Sequence, residues 1–190
     1  MPEEYLVHYC SPTLAGLKTG SLFTCAYESR ETMLEEVRDF NRRFRNRGLV
    51  LLAARFSENR ALLYLFRPGR LKADLSREKA AAILQKCGYA AERGRTPLVT
   101  LFSRLRTWGD FPHEIGLFLS YPPEDVAGFM ENNAENYKAA GLWKVYGDVE
   151  TAEKTFRKYR KCTELLEKRI RTGCSLDMLT APEQAPGKEG

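Results

Sequence analysis

Apolar positions in this chain recur with two periods, and the switches between them outline the elements. From Thr32, the residues Met33, Leu34, Val37, Phe40 and Phe44 share one helical face. Thr32 and Glu35 have capping-box spacing, and Gly48 supplies the stop. Leu49–Phe56 and Ala61–Phe66 are nearly unbroken apolar runs separated by Ser57-Glu58-Asn59-Arg60. They predict a β-hairpin buried on both faces and central in a sheet, ended by Arg67-Pro68-Gly69. Upstream, Glu4–Tyr9 reads as a short strand. Ser11-Pro12 then offers an N-cap and first-turn proline for a brief helical turn, limited by Gly16 and Gly20.

Downstream, helices are expected over Ser76–Cys87 and from Thr96-Pro97 to near Trp108, the latter with Leu98, Leu101, Phe102 and Leu105 on one stripe. Ile115–Leu119 reads as a strand because Gly116 disfavours a helix. Tyr121-Pro122-Pro123-Glu124-Asp125 starts a helix that turns Val126, Phe129 and Met130 inward. Leu142–Tyr146 is the expected final strand, giving a right-handed strand–helix–strand crossover if the two strands are parallel. Asp148 caps the longest helix, with Ala152, Phe156, Tyr159, Thr163, Leu166 and Ile170 as its buried stripe and Gly173 as its end. Ser175–Leu179 adds a turn. The sum is a single α+β (mixed α/β) domain over residues 1–180, with about five strands in one mixed sheet around the hairpin and a long C-terminal helix. Residues 181–190, rich in Pro, Gly and charge, read as a disordered tail.

Composition narrows the function classes. With 43% hydrophobic and 29% charged residues, the chain is an ordinary globular sequence. The longest purely apolar run, Leu49 to Ala54, is too short to span a membrane, and Met1-Pro2-Glu3-Glu4 does not open a signal peptide, so a cytoplasmic protein is expected. Five scattered cysteines without a C-x-x-C pair predict free thiols and exclude a sequence-local zinc motif. The net charge is +5, with ten arginines against five acids from Arg30 to Arg70 and a further basic stretch from Lys154 to Arg171. A nucleic-acid or acidic-protein interaction surface is one reading of that charge; a solvated face with interleaved acids is the other.

The candidate chemistry gathers at the only two histidines. His8 and Cys10 share one face if Glu4–Tyr9 is a strand, and a helix start behind Cys10 would favour its thiolate. Ser11 and Thr13 are nearby donors and Lys18 adds positive charge, so the group suits a nucleophile or an anion-holding loop. His113 and Glu114 stand at the entry of the Ile115 strand. Were these two places to converge, Cys10 and His113 would form a thiol-dependent catalytic pair. Alternatively, His8, Cys10 and His113 would ligate a transition metal or haem, with Ser11, Thr13, Lys18 and Glu114 lining a small-ligand pocket.

Three separated stretches carry a family resemblance: His8-x-Cys10-Ser11-Pro12-Thr13-Leu14-Ala15-Gly16-Leu17-Lys18, Phe111-Pro112-His113-Glu114-Ile115-Gly116-Leu117-Phe118-Leu119-x-Tyr121-Pro122, and Trp143-Lys144-Val145-Tyr146-Gly147-Asp148. Together they resemble a bacterial family known as domain of unknown function 3793. The resemblance implies a cytosolic bacterial protein and points towards iron or redox metabolism, but brings no assigned activity or catalytic residue.

Overall fold

The computed structural model describes residues 1–89, 96–107 and 111–182. It falls into two compact units, Met1–Leu71 with Tyr159–Gly190, and Lys72–Lys158.

The first unit opens with a helix, α1 (Glu3–Leu14), where the sequence suggested a strand and a turn. Leu6, Val7, Cys10 and Leu14 are all buried, and their spacing is helical. Glu3 and Glu4 lie in the first turn, where acids favour the helix dipole. Pro12 is accommodated in the last turn, and its carbonyl accepts from Leu17 N (2.8 Å) and Lys18 N (3.0 Å) as the chain turns back through Gly16, at φ 73°. Strand β1 (Gly20–Ala26) follows, which the sequence pattern did not reveal. Helix α2 (Arg30–Phe44) is capped three residues before the expected Thr32, by Ser29, whose hydroxyl accepts the backbone N–H of Thr32 at 3.1 Å. Met33, Val37, Phe40 and Phe44 are buried as expected, while Leu34 is exposed.

Strands β2 (Val50–Phe56) and β3 (Arg60–Phe66) form the expected hairpin. All pairing is antiparallel in the order β1-β3-β2, so β3 is the central strand and β2 an edge. α1 packs on β1 and α2 on β2. One core joins Leu6, Phe23, Phe40, Leu51, Leu63 and Leu179, among others. Helix α3 (Pro68–Leu75) leaves β3, with Pro68 at its first position.

The second unit is mainly helical: α4 (Glu78–Lys86), α5 (Pro97–Arg106), α6 (Ile115–Phe118) and α7 (Pro123–Glu131). Trp108, the expected end of α5, lies outside the described residues. The expected Ile115 strand is instead the single turn α6, with all four residues buried. Gly116 serves close packing rather than extended backbone, since a Cβ there would sit 2.7 Å from Val126 Cγ2. The final strand shrinks to β5 (Lys144–Val145), paired antiparallel with β4 (Ala139–Ala140), so the crossover is not formed. The described strands therefore make two sheets rather than one.

Helix α8 (Val149–Arg171) starts as expected, with Thr151 N donating to Asp148 Oδ1 at 3.2 Å. Ala152, Phe156 and Tyr159 are buried along its stripe. Helix α9 (Leu176–Leu179) follows. Ala181, placed in the tail by composition, is bound through its N–H to Leu14 O at 3.0 Å and through its carbonyl to Arg67 at 2.8 Å.

Candidate functional site

Helix geometry separates His8 from Cys10. Two residues along an α-helix turn a side chain by about 200°, so the shared face expected on a strand becomes two opposite faces. Cys10 points inward and is 0% exposed. Burial pushes its thiol well above the usual range, and the charge of Lys18 and the hydroxyl of Ser21 pull it only partly back. Nor is there a helix N-terminus behind it: Cys10 lies one turn from the C-terminal end of α1, where the dipole opposes a thiolate. Lys18 is half-buried, and desolvation lowers its ammonium from 10.5 to about 8 against the opposite influence of Cys10.

Ser11 and Thr13 are also turned inward. Ser11 Oγ donates to Val7 O, and the Thr13 and Ser21 hydroxyls meet at 2.9 Å, all three side chains being buried. These hydroxyls satisfy one another and the backbone instead of forming an open anion-holding loop.

His8 faces out. Its Nδ1 lies 2.7 Å from Glu167 Oε1 on α8, and Arg171 Nη2 donates to the other carboxylate oxygen at 3.2 Å. Glu4, Tyr5, His8, Glu167, Ile170 and Arg171 line an open groove of about 280 Å³ in the first unit. Glu4 and His8 are one turn apart on α1, a spacing that becomes visible only once the segment is read as a helix. Tyr5 forms the inner wall, held by its hydroxyl to Thr24 O at 2.6 Å and tilted against Tyr9 at 4.7 Å. No periodicity or motif signals that the end of α8 supplies the other wall.

His113 and Glu114 belong to the second unit, and they too point different ways. His113 is exposed, its ring 5.0 Å from that of Phe129 on α7. Glu114 is 4% exposed, and its Oε1 accepts from Tyr89 OH at 3.0 Å and Arg104 Nη1 at 2.6 Å. Arg104 also stacks over the Tyr89 ring at 4.5 Å and donates to Cys87 O. Burial, followed by the Glu114 charge, raises the Tyr89 phenol. Glu114 thus ties α5 and the start of α6 to Tyr89, just after α4.

Two buried charges escaped the sequence reading. Arg67 is 1% exposed, and its guanidinium donates to Thr13 O, Leu14 O and Ala181 O, each at 2.8 Å, and to Arg47 O at 3.1 Å. Asp125 is 3% exposed and accepts from Trp143 Nε1 at 2.7 Å and from the backbone N–H groups of Tyr146 and Gly147, each at 2.8 Å. Their only advance signal was position: Arg67 ends an apolar run, and Asp125 sits in the first turn of a helix, where an acid needs no other explanation.

Among the described residues, no three His, Cys, Asp or Glu side chains are gathered to hold a metal ion. No helix among them is long and apolar enough to cross a membrane. Neither a curated protein nor a solved structure matches the chain. A family model does, over residues 6–180, and that span takes in all three of the stretches quoted above. The chain belongs to the family described as protein of unknown function DUF3793.

Proposed function

We propose that this chain is a small-ligand-binding protein whose site is the groove around His8. The observation that supports this most is the groove itself, about 280 Å³ between α1 and the end of α8. That volume lies at the lower edge of the ~300–1,000 Å³ typical of small-molecule sites, so the ligand is small and exchanges rapidly. The lining suggests its chemistry. Tyr5 and Ile170 supply an apolar floor, Arg171 has guanidinium donors beyond the one given to Glu167, and Glu4 offers an acceptor. Glu167 at Nδ1 leaves the other ring nitrogen of His8 for a ligand. A small zwitterion with a short apolar body suits this arrangement, its carboxylate against Arg171 and its ammonium against Glu4 and the accepting Nε2 of His8.

A thiol-dependent enzyme fits less well, because Cys10 lacks both access and a thiolate. The test is an NMR titration of the full chain with the free amino acids and short dipeptides. Saturable shifts at Tyr5, His8 and Ile170, lost in His8→Ala and Arg171→Ala, are expected. If no member of the panel moves those residues, the proposal is wrong.

A further inference from the structure

Helix α8 holds most of the charge imbalance of the chain. Val149–Arg171 contains eight basic and four acidic residues, a surplus of four where the whole chain has +5. Some of these cations are neutralised along the helix: Lys154 by Glu150 (2.5 Å), Arg157 by Glu153 (3.7 Å) and Arg171 by Glu167 (3.2 Å). Lys158, Arg160, Lys161, Lys168 and Arg169 are different. All five are exposed, and among the described residues none has an acidic side chain within ion-pair reach.

Three of these cations, Lys161, Lys168 and Arg169, flank one apolar side chain. Leu165 is 52% exposed, with Lys161 one turn before it and Lys168 and Arg169 one turn after it. At 100° per residue, Lys161, Leu165 and Lys168 fall within about 60° of one another on the outer face. Glu164 is the one acid beside them, and no aromatic ring lies on this face to stack a nucleic-acid base. A basic surface that reads single-stranded nucleic acid interleaves cations with exposed aromatics; here the interleaved residue is a leucine.

We infer that this face of α8 docks an acidic segment of a protein partner, in which an apolar side chain covers Leu165 and flanking carboxylates meet Lys161, Lys168 and Arg169. Charge complementarity supplies steering and register, and the leucine contact supplies the desolvated centre. The surface is separate from the His8 groove and does not depend on a ligand there.

Fluorescence anisotropy on the full chain tests this. The probes are a labelled designed helical peptide with glutamates one turn either side of a leucine, and labelled single-stranded and duplex oligonucleotides. The peptide is expected to bind at low salt and to weaken severalfold as the Debye length shrinks from about 30 Å at 0.01 M to about 8 Å at 0.15 M. Lys161→Glu with Lys168→Glu should weaken it by at least about tenfold, and Leu165→Ser by about threefold. These residues are exposed, so unchanged circular dichroism and melting should accompany the loss; Lys161→Gln with Lys168→Gln is the milder control. Failure of the peptide to bind at low salt, or binding indifferent to the charge reversal, overturns the inference. So does tighter binding of an oligonucleotide that ignores Leu165→Ser, which would make the surface a nucleic-acid interface.

Discussion

In the unit built on the three-stranded sheet, the largest fully buried side chain is a cation, Arg67, and the partners shown for it are carbonyl oxygens. In the mainly helical unit the corresponding charges are carboxylates, Asp125 and Glu114, and their partners are N–H, O–H and guanidinium donors. The difference follows from what each unit leaves unsatisfied. Thr13 O and Leu14 O belong to the last turn of α1, where carbonyls have no intrahelical partner and the dipole is negative, so a guanidinium with five donors fits. Just after β5 the backbone N–H groups of Tyr146 and Gly147 lie outside the strand pairing, and one carboxylate gathers both together with the Trp143 indole N–H. Both devices fix backbone that regular secondary structure does not. They also show what the quoted motifs do here: Thr13, Leu14, Glu114, Trp143, Tyr146 and Gly147 are held in place by buried charge, while the two histidines project from the same segments into solvent.

The largest effects should come from breaking these devices. Arg67→Met removes a guanidinium donor from at least four carbonyls, of which Thr13 O and Leu14 O keep one backbone donor each, and should lose about 3–5 kcal/mol of unfolding free energy in urea, with Arg67→Lys recovering only part because an ammonium cannot reproduce the fork. Asp125→Ala strands an indole and two backbone donors and should lose about 3 kcal/mol, with Asp125→Asn intermediate. A loss below about 1 kcal/mol in either alanine or methionine variant would remove that side of the comparison.

How much of this was legible depends on what held each element. The β2–β3 hairpin, α2 and α8 declare themselves because apolar burial holds them, and burial leaves a period in the sequence. β1 does not, since Gly20, Ser21, Thr24 and Cys25 give it a mixed surface and its partner β3 supplies the apolar side chains. In α1 the residues Tyr5, Val7 and Tyr9 alternate as a strand would; only the contacts of Leu6, Val7, Cys10 and Leu14 with the core decide for a helix. The expected His8–Cys10 site goes with that strand, because the two side chains share a face only on a strand. α6 is hidden for a related reason: Gly116 is there for Tyr121 and Val126, five and ten residues on, a contact no local pattern shows. Of the candidate residues, His8 alone lines the described groove.

A smaller effect tests the polar cluster under α1. Lys18 loses its proton near 8 in the folded protein and near 10.5 when unfolded, because burial penalises its charge. Between those values the unfolded chain binds more protons, so Lys18 makes stability rise with pH across that window; its burial cost is fully present below 8 and relieved above 10.5. The expected contribution is on the order of 1–3 kcal/mol, reduced from the full shift because the side chain is partly exposed. Cys10 works the other way: its raised thiol keeps its proton after the unfolded thiol has lost it, which lowers stability at high pH. Comparing wild type with Lys18→Met from pH 7 to 10.5 isolates the lysine. A Lys18→Met curve parallel to wild type would show that the amine is not desolvated, and that the first unit buries its arginine without a second penalised cation.

The smallest effect is expected at His8, and it is the one that sharpens the contrast between buried charge and exposed chemistry. The His8–Glu167 pair has side-chain exposures of 62% and 24%, so solvent and salt screen it, and holding two mobile side chains offsets much of the attraction. His8→Ala and Glu167→Ala should each lose under about 1 kcal/mol, with a double-mutant coupling of a few tenths that fades in high salt. Urea unfolding of the two single variants and the double variant measures it. A loss of 3 kcal/mol or more would place His8 with Arg67 and Asp125 as part of what holds the fold, and its exposure would then say nothing about ligands. A small loss has the opposite force. The side chain is then free of a folding role, so any loss of ligand response in His8→Ala must come from the groove rather than from a damaged core.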